Sequence, residues 1–327
     1  MNEPRRRQGW THNATLGAAL ALTAIAMSAL TRGRFWSAVN LQAMGFQLPE
    51  LGLFSLAMML PMLAGGINLA IVASANLTGI LMALALTALA PAPEQGGSAL
   101  GAAAAAILVG AGASLAIGLA IGAVINQFNV SPILATLGMM TLLRGFGLVL
   151  TRGAAIGGLR AIEPIGNGIL AGVPIPLLLF GCAAGLVATL LNRRPLGLAI
   201  AMFGSSPTVT AFSGVDTRRL ILKVYVASSL LAGLAALIML ARFNSAKVDY
   251  GESYLLLSIL AAVLGGTSAT GGFGRVSGLL LALLLLQAIS SGFNLLGVNP
   301  FVTLAVWGAV ILAVTGIRNR RRGLGPE

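Results

Sequence analysis

From Leu51 to Ala90 the chain runs for 40 residues without one charged side chain. A water-facing surface does not tolerate such a run, and about 20 apolar residues in a helix already cross the hydrocarbon core of a bilayer. The pattern recurs along the chain. Charged residues are 9% and hydrophobic residues 57% of the 327, whereas a soluble domain carries roughly 25% charged residues. Inside lipid, every backbone N–H and C=O needs an internal partner, which a helix supplies. The expected fold class is therefore all-α, a polytopic transmembrane helix bundle.

Ten spans are expected, within a range of eight to ten, at about 14–31, 51–66, 69–90, 99–125, 132–151, 174–191, 220–241, 254–268, 276–293 and 301–317. The mixed stretch 32–50, with Arg32, Arg34, Trp36 and Glu50, reads as interfacial, the depth that Trp favours. Loops fall at Pro91–Gly97 and Asn126–Asn129, and the Gly-rich stretch 152–173 is expected to hold a short surface helix. The first run also has the look of a secretory signal, with Arg5-Arg6-Arg7 before it. A retained first span is simpler, because the rest of the chain is equally apolar. Residues 1–13 and 318–327 then become basic tails around a membrane domain at 14–317.

Ten spans put both termini on one side, taken as cytoplasmic. That side receives Arg5, Arg6, Arg7, Arg193, Arg194, Arg218, Arg219, Lys223, Arg275, Arg318, Arg320, Arg321 and Arg322, which makes 13. The opposite side receives Arg32, Arg34, Arg152, Arg160, Arg242 and Lys247, which makes 6. This asymmetry is the positive-inside rule. The net charge of +12 thus reflects orientation and contact with anionic lipid, and nucleic acid is not an expected partner. The expected location is a bacterial inner membrane, crossed many times.

Composition also limits the chemistry. One His (His12) and one Cys (Cys182) rule out a disulfide within the chain and a His/Cys zinc site. Neither Lys223 nor Lys247 follows a G-x-x-x-x-G, so no P-loop is present. An integral membrane enzyme is remote, and no cofactor or metal is expected. No Asp or Glu falls inside any expected span, so the carboxylate relay of an ion-driven transporter is missing. An external energy source fits better than a self-sufficient facilitator or secondary transporter.

The polar exceptions mark candidate sites. Gly65-Gly66-Ile67-Asn68 breaks the long apolar run, one turn after Pro61. A broken helix needs protein or a water-filled cavity around it, so the break is either a pathway-lining bend or a structural kink. A second double glycine, Gly265-Gly266, lies 200 residues on and hints at internal duplication. Asn76, Gln287, Ser290, Ser291 and Asn294 are uncharged polar residues within or beside spans. They suit a neutral polyhydroxylated solute, or they bond helix to helix. Arg144 lies inside span five, as an anchor or a pathway residue. Aromatics are only 6% of the chain, too few for tight sugar stacking, so selection of the solute is expected elsewhere. The basic segment 192–223 is the best partner site, or an ordinary basic loop. Within it Pro207–Phe212 reads as a short helix with Pro in its first turn and Gly214 as its stop.

Four stretches carry a resemblance. Gly65-Gly66-Ile67-Asn68-Leu69 is similar to G-G-I-D-L-S, and Ala135-Thr136-Leu137 through Arg144-Gly145 to A-T-L-x-x-x-x-x-R-G. Phe203-Gly204-Ser205-Ser206-Pro207 through Ser213-Gly214-Val215-Asp216 is similar to A-I-G-G-N…S-G-I. Ala261 to Ser268 with Gly271-Gly272-Phe273-Gly274 is similar to A-A-V-x-x-G-G-T-S-x-x-G-G-x-G, the most specific of the four. Over about 35–317 the chain thus resembles the permeases of bacterial ABC importers for ribose, xylose, arabinose, galactose and related solutes. The resemblance implies a permease dimer, homo- or hetero-, with two cytoplasmic ATPase subunits and a periplasmic solute-binding protein. It implies ATP-driven alternating access for a monosaccharide-like solute. It also implies ATPase coupling through Phe203, Gly204, Ser205, Ser206, Pro207, Gly214, Asp216 and Arg218. Gly65, Gly66, Asn68, Asn76, Gln287 and Asn294 are the expected pathway residues. Asn68 and Ala70 depart from the family's Asp and Ser, and Ser205-Ser206 from its G-N.

Overall fold

The computed structural model describes residues 3–89, 97–299, 301–303, 305–310 and 312. They form an all-α bundle, in which eight helices are long and apolar enough to cross a membrane. Helix α1 is Glu3–Leu30, α2 Ala38–Leu63, α3 Ile71–Leu89, α4 Gly97–Phe128 and α5 Pro132–Thr151. Short α6 is Glu163–Asn167, followed by α7 Ile175–Arg193, α8 Pro195–Ser205 and α9 Pro207–Phe212. Then come α10 Thr217–Phe243, α11 Glu252–Leu264 and α12 Val276–Leu295.

Three expectations change. Helix α1 runs back to Glu3, so His12 sits on a helix rather than in a tail, and its Nε2 donates to the Leu264 carbonyl at 3.1 Å. The stretch 38–50 is the first half of α2, not an interfacial segment. The Ser37 side chain caps this helix by accepting the Asn40 N–H at 3.3 Å, which starts it thirteen residues earlier than hydropathy suggests. The third change is the eighth expected span, which is the 13-residue α11. At 1.5 Å per residue it covers only about 20 Å and cannot cross alone. Of the tenth expected span, 301–317, residues 301–303, 305–310 and 312 are described and helical, and the rest lies outside the described residues.

Helix α2 is the centre of the bundle, with every residue from Leu48 to Leu63 buried. It packs against α10, α11, α7 and α12. Helix α10 also lies along α4, where Gly118 and Gly122 sit one turn apart. A Cβ on Gly118 would strike the backbone of Val226, and one on Gly122 would strike Leu222. Small residues at this spacing let two membrane helices approach backbone to backbone.

The connections sort to two ends. At one end the chain between α5 and α7 meets the chain between α10 and α11. There a two-residue strand β1 (Ile156–Gly157) pairs antiparallel with a strand at Ser245–Ala246, and Asn244 Oδ1 accepts the Leu159 N–H at 2.6 Å. At the other end lie the connections 64–70, 129–131, 194–216 and 265–275. There Asn126 Nδ2 donates to the Arg218 carbonyl at 2.8 Å.

Candidate functional site

Helices α2 and α11 end in the same way. After α2, the Gly66 N–H reaches the Pro61 carbonyl at 2.9 Å and the Gly65 N–H reaches Met62 at 3.0 Å. After α11, the Thr267 N–H reaches Ala262 at 2.9 Å and the Gly266 N–H reaches Val263 at 3.0 Å. Both are Schellman closures, which need a left-handed residue just past the helix end. Gly65 (φ 81°) and Gly266 (φ 87°) supply it. The two double glycines noticed in the sequence are thus equivalent structural stops, offset by one residue.

The chain beyond Gly66 is buried or half-buried, and its polar groups are met by protein. Asn68 is fully buried; its Nδ2 donates to Ser228 Oγ at 3.0 Å, and its Oδ1 accepts the Ala70 N–H at 3.1 Å. The Ser228 hydroxyl in turn donates to the Ala57 carbonyl at 2.7 Å. Thr136 Oγ1 accepts the Leu69 N–H at 3.1 Å and donates to either the Ile67 or the Pro132 carbonyl. The break between α2 and α3 is therefore stitched to α10 through Asn68 and to α5 through Thr136.

The expected coupling segment contains two helices. Apolar α8, which sequence reading missed, is signalled by Pro195 at its first turn and the run Leu196–Phe203. Ser206 alone separates it from α9, whose N-terminus it caps by accepting the Val209 N–H at 3.4 Å. Phe212 on α9 is 89% exposed and Val209 is also exposed. Gly214 follows with φ 80° and open space around it, so its constraint is conformational rather than steric. Asp216 caps α10 through the Arg219 N–H at 3.0 Å and pairs with the Arg219 side chain, while Arg218 is exposed.

Phe203, Gly204 and Ser205 lead from α9 to the stop of α2 and to the connection after α11. The Gly272 N–H donates to the Leu63 carbonyl at 2.9 Å. A Cβ on Gly204 would collide with that same carbonyl and with Gly272 N. A Cβ on Gly271 would lie 2.8 Å from both Gly65 Cα and Gly204 Cα. Gly65 and Gly204, predicted in separate roles, thus meet at one point.

The other expected pathway residues are dispersed. Asn76 Nδ2 donates to the carbonyls of Val248 at 2.6 Å and Tyr250 at 2.9 Å. It holds the segment 244–251 against α3, 13 residues short of that helix's far end. Gln287 on α12 donates to Gln47 on α2 at 3.1 Å, and Ser291 to Asn40 at 2.8 Å. Asn294 is exposed in the last turn of α12.

A charged cluster near the β1 end was not foreseen. Glu50 lies within α2, fully buried, which corrects the expectation that no span holds an acid. Arg242 Nη1 donates to Glu50 Oε1 at 2.7 Å, and the Tyr254 hydroxyl donates to Oε2 at 2.8 Å. Arg144 pairs with Glu252 at 2.8 Å, each about half exposed. It stands beside an open, mostly apolar face of α5 that carries Leu137, Thr141 and Phe146. Lys247 donates to Asp249 at 2.9 Å, a bond that raises the lysine pKa and lowers that of the aspartate. Among the described residues, no three His, Cys, Asp or Glu side chains gather as a metal site would require.

The chain matches, over residues 40–315, the family described as branched-chain amino acid transport system / permease component. It is 38% identical over 194 residues to ribose import permease protein RbsC of Bacillus subtilis, covering 58% of this chain and 60% of that protein. It is 37% identical over 224 residues to the Escherichia coli K12 protein of the same name, covering 66% of this chain and 70% of the relative. It is 29% identical over 319 residues to autoinducer 2 import system permease protein LsrD of Yersinia pseudotuberculosis, covering 94% and 91%. The chain thus spans less than two thirds of the length of the Bacillus relative. No solved structure matches.

Proposed function

This chain belongs to the permease family of bacterial ABC importers, a multi-pass inner-membrane transport subunit rather than an enzyme, and on that premise we propose that it forms the solute pathway of an ATP-driven importer. The cargo is a monosaccharide or a similar small polar solute. Hydrolysis on separate cytoplasmic ATPase subunits drives alternating access, a periplasmic binding protein delivers the solute, and a second permease subunit completes the pathway.

The observation that carries this reading is α9. It is a capped six-residue helix that exposes Phe212 and Val209 at the end of the bundle where sequence reading expects the cytoplasm. A large exposed aromatic on a basic segment suits a soluble partner better than water or lipid. The Arg144–Glu252 pair ties α5 to the start of α11. A half-exposed charge within the spanning α5 is costly against lipid and is tolerated beside its Glu252 partner, water or protein.

The competing reading is a facilitator or secondary transporter. Glu50 inside α2 favours it, since the acid thought absent is present. Its two oxygens are both engaged, however, by Arg242 and Tyr254, which suits a structural lock better than a proton relay. Proteoliposomes decide between the two. Uptake of radiolabelled ribose, the first solute to try, is expected only with the ATPase, the binding protein and ATP present. Uptake by the permease alone would establish the facilitator.

A further inference from the structure

Three segments far apart in sequence touch through backbone alone at one point. Gly65 follows the Schellman stop of α2, Gly271 and Gly272 belong to the connection after α11, and Gly204 is the penultimate residue of α8. We propose that this glycine junction is the joint through which movement of α9 reaches both broken helices at once. The proposal rests on the ATP-driven reading above and names the residues that would couple its two halves.

The argument is mechanical. A contact between long side chains absorbs a displacement, because rotamers change at small cost. The contacts here have no side chain to yield. Gly204 lies against the Leu63 carbonyl and Gly272 N, while Gly271 lies against Gly204 and Gly65. Between Gly204 and the first residue of α9 stand only Ser205 and Ser206. A shift of α9 therefore arrives at the junction nearly undiminished.

The receiving side is suited to move. No helical hydrogen-bond ladder runs across residues 64–70 or 265–275, so each is a hinge between rigid helices. The α2 hinge is bonded onward to α10 and α5 through Asn68 and Thr136. The α11 hinge passes into α12, where a Cβ on Gly278 would strike the Gly265 carbonyl. Packed backbone of this kind switches between discrete arrangements rather than deforming smoothly.

The test uses the complete importer in proteoliposomes and measures ATP hydrolysis and solute uptake together. Gly204→Ala and Gly271→Ala are expected to retain ATPase binding and hydrolysis. Uptake per ATP should fall by about 5- to 150-fold, the range of ordinary coupling energies. Gly185→Ala, on an open face of α7, should behave as wild type. Gly272→Ala is a second probe, because its added methyl meets chiefly the Ser205 side chain, a clash separate from the strain of Ala at φ 80°. Its loss should be partly restored by Ser205→Gly. Unchanged uptake per ATP in Gly204→Ala and Gly271→Ala overturns the proposal. So does a failure of these variants to assemble, if Ser205→Gly restores nothing to Gly272→Ala, because the junction is then only structural. A wild-type complex whose uptake ignores ATP overturns the preceding reading instead.

Discussion

Arg242 Nη1 sits 2.7 Å from Glu50 Oε1, and the carboxylate it meets is fully buried at the middle of α2. The Tyr254 hydroxyl holds the second oxygen, so three helices are joined at one acid. Removing one partner of a buried pair leaves an uncompensated charge and costs about 3–5 kcal/mol, whereas replacing both by apolar residues is often nearly neutral. Glu50→Ala should therefore lower stability by that amount, and Glu50→Leu with Arg242→Met should recover most of it. Unfolding in detergent with and without each change measures this. A single variant as stable as wild type would remove the lock from the account.

Asn68 and Ser228 form the stitch between the broken helix and α10. Asn68→Ala strands the Ala70 N–H and should cost about 1–3 kcal/mol. Because the two side chains share one bond, Asn68→Ala and Ser228→Ala should be non-additive by about 0.5–3 kcal/mol. Strict additivity in a double-mutant cycle would contradict the shared bond.

Asn76 holds the segment 244–251 by two carbonyls. With Asn76→Ala both lose their partner, and local opening becomes easier. Amide exchange in 244–251 should speed by about tenfold or more, since a loss of 1.4 kcal/mol is a factor of ten. Exchange in α10 should stay as it is. Hydrogen-exchange mass spectrometry in detergent reads both.

Phe212 is exposed on a short helix whose own fold does not use it. Phe212→Asp should leave the permease as stable as before. Buried aromatics are typical energetic anchors of interfaces, so co-purification with the ATPase should drop by about tenfold or more. Full retention of the ATPase would move the contact away from α9.

The all-α class and the membrane location were legible in the sequence because they follow from hydropathy, which is local. So was the α9 helix, since Pro207 and Gly214 act on their immediate neighbours. The double glycines also announced themselves, because a Schellman stop needs a left-handed residue at one definite position. Hydropathy misjudged α2, since Gln42, Gln47, Pro49 and Glu50 lowered its average while partners on α10, α11 and α12 satisfied Glu50 and Gln47. Those partners lie about 190 to 240 residues away in the chain.

What the sequence determined by itself, then, is that the chain lies in lipid as helices and that two of those helices stop at a double glycine. These are questions of transfer energy and backbone conformation, settled within a turn or two. Only the tertiary structure decided that Gly65, Gly204 and Gly271 share one point and that Glu50 has a cation. A glycine carries no side chain to advertise its neighbour. A buried charge is explained only by a partner that packing brings to it from another helix.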